Sequence, residues 1–347
     1  MKKVFAVTAA LALLGLGIAA SADVFNLGAG FTNLETVTVG DPGNAGELSG
    51  SGAGGYGSDR ICGSVGYNYR IGKYEVTAKQ YTDFLNAKAN VSDPYGLYNS
   101  SMWSDSYGCK IQRSGTSGSY TYSVASDWAN RPVNYVSYWD SLRFANWLGN
   151  GQGAGSTETG AYTLNDYNGM DGRDIQRNAN WKWAMTSEDE WYKAAYYKGG
   201  STNAGYWDYP TKSNTAPSNE GSDGYTDPGN HANYNNNGYT IGSPYYRTNV
   251  GEFEKSGSAY GTFDQGGNVW EWTFISGDYA SRGLRGGSFY DIYLDLQASN
   301  RYHYDYDPPY EVFSMGFRVV QAVPEPSSLI ALVCGLGGLG LVWRRRR

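Results

Sequence analysis

The stretch FDQGGNVWEWT, Phe263 to Thr273, limits what this chain can fold into more than any other part of it. Side chains two apart on a strand share a face, so Trp270 and Trp272 point the same way. Two indoles on one face need an apolar layer over them, and burying each is worth several kcal/mol at about 25 cal/mol per Å². They read as core rather than as a ligand platform. Ahead of them, Gly266 and Gly267 permit a tight turn that aims backbone carbonyls inward. Asp264 and Glu271 add two hard carboxylates seven residues apart. Carboxylate and carbonyl oxygens suit Ca²⁺, which takes about six to eight of them. The plainer alternative has Asp264 capping a turn and Glu271 meeting a surface arginine.

Around this stretch, the chain spells out few regular elements. Thr77 and Gln80 make a capping box before Tyr81, Phe84 and Leu85, whose spacing predicts a helix. Ser137, with Asp140 in the first turn, predicts a second through Leu142, Phe144, Ala145, Trp147 and Leu148, stopped at Gly149 or Gly151. Ser187 and Glu190 predict a third, with Glu188, Asp189 and Glu190 at the positive end of its dipole and Gly199-Gly200 as the stop. Tyr67, Tyr69 and Ile71 alternate as in a strand, and strand-like pieces return at NVWEWT, RGLRGGSFY and SMGFRVVQ. Residues 149–182 and 203–261 read as loop. With 48 glycines and 32 tyrosines, a loop-heavy body packed around aromatic clusters is expected.

The two ends differ from the body. Lys2-Lys3, an apolar run and Ala20-Ser21-Ala22 form a secretory signal peptide over 1–22. Residues 23–58 are Gly- and Ser-rich and read as a linker or flexible arm, with a short strand at Val37-Thr38-Val39. At the far end, Ser327 to Trp343 is a 17-residue apolar run before four arginines. As a helix it would reach about 25 Å, a little short of a hydrocarbon core. Pro324-Glu325-Pro326, the apolar run and the arginine cluster together resemble the PEP-CTERM sorting signal of Gram-negative bacteria. That resemblance implies export, transient anchoring in the inner membrane through the C-terminal helix, processing by an exosortase, and a final place at the cell surface or in the extracellular matrix. A permanent tail anchor is the alternative. Without the charges of both ends, 21 basic residues face 32 acidic ones, which argues against nucleic-acid binding. Cys62 and Cys109 remain as an even pair in an oxidising compartment, either disulfide-bonded or as two buried thiols.

RIGKYEVTAKQYTDFLNA, RPVNYVSYWDSLRFANWLG, MTSEDEWYKAA and then GGNVWEWT, LRGGSFY and MGFRVV occur in that order. The series resembles the formylglycine-generating enzyme (sulfatase-modifying factor) family over about Arg60 to Val320, with a domain expected over 59–321. The resemblance implies an α+β fold of the C-type-lectin-like kind. It also implies a calcium site on the Asp264 and Glu271 side chains and the Gly267 and Val269 carbonyls. A second, incomplete site falls on Asn233 and Tyr234. The tail, 324–347, stands outside the domain.

The family's chemistry is not carried over. Its two copper-binding thiols lie between the GGS and GFR motifs, where this chain has no cysteine and places Asp291 and Leu296. A three-histidine iron site needs more imidazoles than His231 and His303 supply. Neither copper nor iron is expected, and Ser288 reads as a turn residue. The expected pocket gathers Asp291, Asn300, Arg301, Tyr302, His303 and Tyr304, a mix of aromatic, amide and charged groups that suits a polysaccharide or a surface peptide. A non-catalytic binding module is therefore the leading reading. A metal-dependent oxidoreductase of altered chemistry at His303 comes second, and formylglycine generation last.

Overall fold

Each of the three long helices starts at the cap its sequence announces. Thr77 Oγ1 accepts from the Gln80 N–H at 3.2 Å while Gln80 Oε1 accepts from the Thr77 N–H at 2.9 Å. The reciprocal bonds recur between Ser137 and Asp140 and between Ser187 and Glu190. The computed structural model describes residues 23–24, 31–220, 229–275, 282–301 and 307–323. Its strands are β1 (Asp23–Val24), β2 (Glu35–Val39), β3 (Glu47–Ser49), β4 (Arg60–Cys62), β5 (Tyr69–Gly72), β6 (Gln112–Ser114), β7 (Thr121–Ser123), β8 (Trp183–Met185), β9 (Trp270–Thr273), β10 (Gly283–Arg285), β11 (Met315–Gly316) and β12 (Val319–Ala322). Its helices are α1 (Ala78–Lys88), α2 (Ser101–Ser104), α3 (Ser126–Ala129), α4 (Tyr138–Gly149) and α5 (Glu188–Tyr196). The α4 C-cap is Asn150, with Gly151 in the left-handed region beyond it, whereas α5 stops at Tyr196, before its glycine pair.

Five strands form an antiparallel sheet in the order β1-β2-β5-β12-β8. The last described strand, β12, therefore lies inside the sheet, with Val320 opposite Ile71 on one side and Ala184 on the other. A second sheet, β10-β9-β11, carries the tryptophan strand: β10 is antiparallel to β9 and β11 parallel to it. Every residue of β9 is buried, so Trp270 and Trp272 face one layer and Glu271 and Thr273 another. The main core packs α1 and α4 against these sheets through rings such as Phe84, Phe144, Trp147 and Phe317, with edge-on or tilted contacts of 5.3 Å to 5.5 Å. Residues 149–182 and 203–261 are mostly loop, as expected.

One expectation is corrected and one pair of alternatives is decided. Residues 31–58 are no free arm. β2 pairs along its length with β5, the Asn44 amide donates to the Gly63 carbonyl at 2.8 Å, and the Ser49 hydroxyl donates to the Ala298 carbonyl at 2.7 Å. The segment has few apolar anchors, but backbone pairing and buried polar bonds fix it. Cys62 and Cys109 form no disulfide; both are buried free thiols. Cys62 sits among Trp191, Tyr192 and Tyr196, and Cys109 in the main core, so different elements enclose each sulfur. Burial pushes the Cys62 thiol up to about 11 and raises Cys109 as well. Among the described residues, no helix is long and apolar enough to cross a membrane. The apolar runs of both ends lie outside those residues.

Candidate functional site

The turn before β9 is built from residues that tolerate the left-handed region: Asp264 (φ 59°), Gly267 (φ 90°) and Asn268 (φ 56°). Gly267 has a second reason to be glycine, because a Cβ there would lie 2.2 Å from the Asn233 carbonyl oxygen. That close approach is a parallel bridge between Asn233 and Gly267, tightened by the Asn268 N–H to the Asn233 carbonyl at 2.9 Å and the Asn233 amide to Asn268 Oδ1 at 2.8 Å. The fold thus brings both expected cation segments, Asp264–Glu271 and Asn233–Tyr234, side by side.

Their donors are unevenly free. Both Glu271 oxygens are engaged: the Arg318 guanidinium grips them in a fork at 2.6 Å each, and the Trp191 indole N–H donates at 2.7 Å. The arginine partner of Glu271 is therefore buried rather than on the surface. Asp264 accepts from the Gly251 N–H at 2.5 Å, and burial pushes its carboxyl up to about 6. Asn233 Oδ1 is buried without a partner. Sequence reasoning missed a further member, Glu75. It is 2% exposed, neither of its oxygens has a hydrogen-bond partner, and burial, Asp264 and Glu271 together hold its carboxyl well above the usual range. Its signal was an acidic residue between Tyr74 and Val76 at a strand-to-helix junction. Arg318 already serves Glu271, so Glu75 and Asp264 share a buried site short of positive charge. A hard cation fits these donors better than it fits Glu271.

The second cluster lies where the family's thiols are expected. Asp291 Oδ2 accepts from the Ser288 hydroxyl and, at 2.8 Å, from the Trp270 indole N–H. Ser288 is thus more than a turn residue, and Trp270 is both core and site. Burial raises the Asp291 carboxyl to about 6. Leu296 is fully buried with Tyr209, Ala232 and Tyr234 and offers no donor side chain. Flanking Asp291 in sequence, Tyr290, Ile292, Tyr293 and Leu294 are each exposed. Tyr290 joins a cluster of rings: Tyr290 to Phe313 at 5.4 Å, Phe313 to Tyr107 at 5.0 Å, Tyr107 to Tyr246 at 4.7 Å and Tyr246 to Tyr239 at 5.2 Å.

Two of the expected pocket residues are structural instead. Arg301 is buried and forks onto Glu188 at 2.7 Å and 3.0 Å, and the same carboxylate also takes Arg285 and Arg60. These guanidiniums hold the Glu188 carboxyl down near 2 against the cost of burial. Asn300 is buried and donates to the Leu294 carbonyl and to Asp295. Tyr302, His303 and Tyr304 lie outside the described residues. The His231 backbone N–H donates to Ser256 and its ring stacks on Phe253. Among the described residues, no three His, Cys, Asp or Glu side chains converge on a common metal position.

The sulfatase-modifying factor enzyme 1-like domain matches residues 64–323, and the PEP-CTERM protein-sorting motif matches residues 322–347. The second match marks the chain for export and for recognition by exosortase-type sorting machinery. No curated protein matches the chain. Similar solved structures include CarF, at 19% identity over 84% of this chain and 98% of that one, with a TM-score of 0.46. PvdO from Pseudomonas aeruginosa is 19% identical over 87% of this chain and 98% of its own, with a TM-score of 0.49. Treponema denticola variable protein 1 is 18% identical over 84% and 95%, with a TM-score of 0.44.

Proposed function

The chain belongs to the sulfatase-modifying factor family, with the family's α+β fold, and on that premise we propose that it is a non-catalytic binding module of the cell exterior whose ligand is a polysaccharide. One observation carries the reading: a carboxylate fixed by Ser288 and Trp270 is flanked in sequence by exposed Tyr290, Ile292, Tyr293 and Leu294. Aromatic faces stack on the apolar faces of sugar rings, and a held carboxylate accepts from sugar hydroxyls. Leu296, at the other expected thiol position, supports binding over redox chemistry, because an isobutyl group neither ligates copper nor exchanges with a disulfide.

The test is retention of the full chain on exopolysaccharides, read as affinity. Tyr290→Ala is expected to weaken retention about three- to tenfold, the scale of one aromatic contact. Absence of retention on every polysaccharide tried, with retention on a surface peptide, would move the ligand class. Copper or iron in stoichiometric amount would favour the oxidoreductase reading.

The same proposal gives the turn before β9 a structural Ca²⁺, held by Asp264, the Gly267 and Val269 carbonyls and Glu75. The bound ion would supply the positive charge that the two buried carboxylates lack. Chelation is expected to lower the melting temperature and added Ca²⁺ to restore it, and Glu75→Gln should blunt that response. A melting temperature indifferent to chelator would remove the ion from the account.

A further inference from the structure

Two grooves among the described residues differ in how their polar side chains are occupied. The first, about 560 Å³, runs between the N-terminal segment and the cap of α1. Its polar groups are bonded internally: Lys79 to Asp83, Gln80 to the Asn33 carbonyl, Glu35 to Lys73 and Asn249 to Glu252. The second, about 980 Å³, lies between the C-terminal end of α4, the start of β8 and the end of β12. That is near the top of the range usual for a ligand site, about 300–1,000 Å³. Leu148, Trp181 and Trp183 give it apolar walls, and Asn180, Lys182 and Gln321 stand along it. Asn180 and Lys182 are exposed and Trp181 and Gln321 half-buried, so solvent reaches these side chains. The side chains of Asn180, Lys182 and Gln321 make no hydrogen bond or ion pair among the described residues.

The local fold fixes the walls of this second groove. Gln321 pairs with Trp183 across β12 and β8, and the Ala322 N–H donates to the Lys182 carbonyl at 3.0 Å. Asn180 sits at φ 60°, a left-handed turn that leads the chain into β8. The Arg177 guanidinium lies 4.6 Å from the Trp181 ring centroid. Arg177 is itself held by a fork on Glu190, at 2.8 Å to each oxygen. A ring supported in this way has little side-chain freedom left to lose when a ligand stacks on it.

We infer that this groove binds a neutral polysaccharide, with one sugar ring against Trp181 and its hydroxyls bonded to Asn180, Lys182 and Gln321. The inference rests on the binding-module reading; it narrows the ligand class and adds a second place of contact, which shares no residue with the Asp291 cluster. A sugar offers an apolar ring face to the indole and hydroxyls that both donate and accept, which matches two amides and an ammonium. An acidic polymer suits the groove less well. Lys182 is the only cation among the described residues that line it, and the whole chain carries a formal charge of −6. A polysaccharide long enough to meet both places gains by effective concentration, so each contact can be weak by itself.

The experiment is affinity electrophoresis of the full chain, in a detergent without sugar groups, through gels containing hydroxyethyl cellulose, galactomannan or dextran, with polygalacturonate as the acidic counterpart. Trp181→Ala is expected to weaken retention on a neutral polymer about three- to tenfold, the scale of one aromatic contact. Asn180→Ala combined with Gln321→Ala, both outside the core, should weaken it about threefold or more. Trp181→Ala with Tyr290→Ala should lose more than either alone. Retention that neither the Trp181 variant nor the amide pair alters overturns the inference and leaves the binding module standing at Tyr290. Retention on no polysaccharide overturns both. Tighter retention on polygalacturonate than on every neutral polymer overturns the neutral class. Binding to poly-L-proline in place of polysaccharide overturns the inference in favour of a proline-rich segment. The amide pair decides the matter if Trp181→Ala fails to fold.

Discussion

At the scale of single residues, this protein places charge where a sequence cannot reveal its partner. Asp264 and Glu271 announce themselves inside a motif, whereas Glu75 passes for an ordinary surface acid until the fold buries it beside them. Arg301 fails in the opposite direction. It stands next to a polar-aromatic stretch and looks like a pocket residue, yet its fork closes on Glu188, 113 positions away. No local pattern encodes a contact of that span. Gly267 is a position where a side chain is forbidden on two counts. With φ at 90° and a backbone oxygen 2.2 Å from the place of any Cβ, Gly267→Ala must move the Asn233 segment. A loss of about 3 kcal/mol or more is expected, read from the urea midpoint at unchanged slope. A loss under about 1 kcal/mol would mean that the two segments separate easily.

Among elements, the helices were legible and the sheets were not. A capping box is a local pattern four residues long, so α1, α4 and α5 could be read directly. The neighbours of β5 are β2 and β12, and nothing in the strand TVTV or in VVQ names its partner. The Gly/Ser segment misled for a related reason: it is fixed by backbone bonds, which composition does not show. The cap of α4 also carries a titration. Asp140 closes the capping box, fully buried, and is raised to about 6. The neighbouring Glu311 is raised further, to about 9, by burial and by Asp140. A carboxyl whose folded value exceeds its unfolded value near 4.5 gives its full contribution below that value. It then loses it as pH climbs toward about 9, because the folded state holds a proton that the unfolded state has released. The wild-type urea midpoint is therefore expected to fall between pH 5.5 and 8.5, and Glu311→Gln should fall less. Parallel slopes for the two proteins would show that this carboxyl pair is not coupled to folding.

For the whole molecule, the segment before residue 59 is paired into the body of the family domain. β2 and β3 hold the edges of β5 and β4, and the Ser49 hydroxyl shares the Ala298 carbonyl with Arg285. A chain beginning at residue 59 is expected to be insoluble or to melt at least about 10 °C lower, which differential scanning calorimetry would register. A melting temperature within a few degrees of the full chain would return the segment to the status of an arm. The other end of the domain has a mechanical consequence. The sorting tail continues directly from β12, which lies between β5 and β8 with ladders on both flanks. Tension applied at Ala322 along the strand would load both ladders at once in shear instead of peeling an edge open bond by bond. The sheet would act as a cleat against any pull on the C-terminal end of β12.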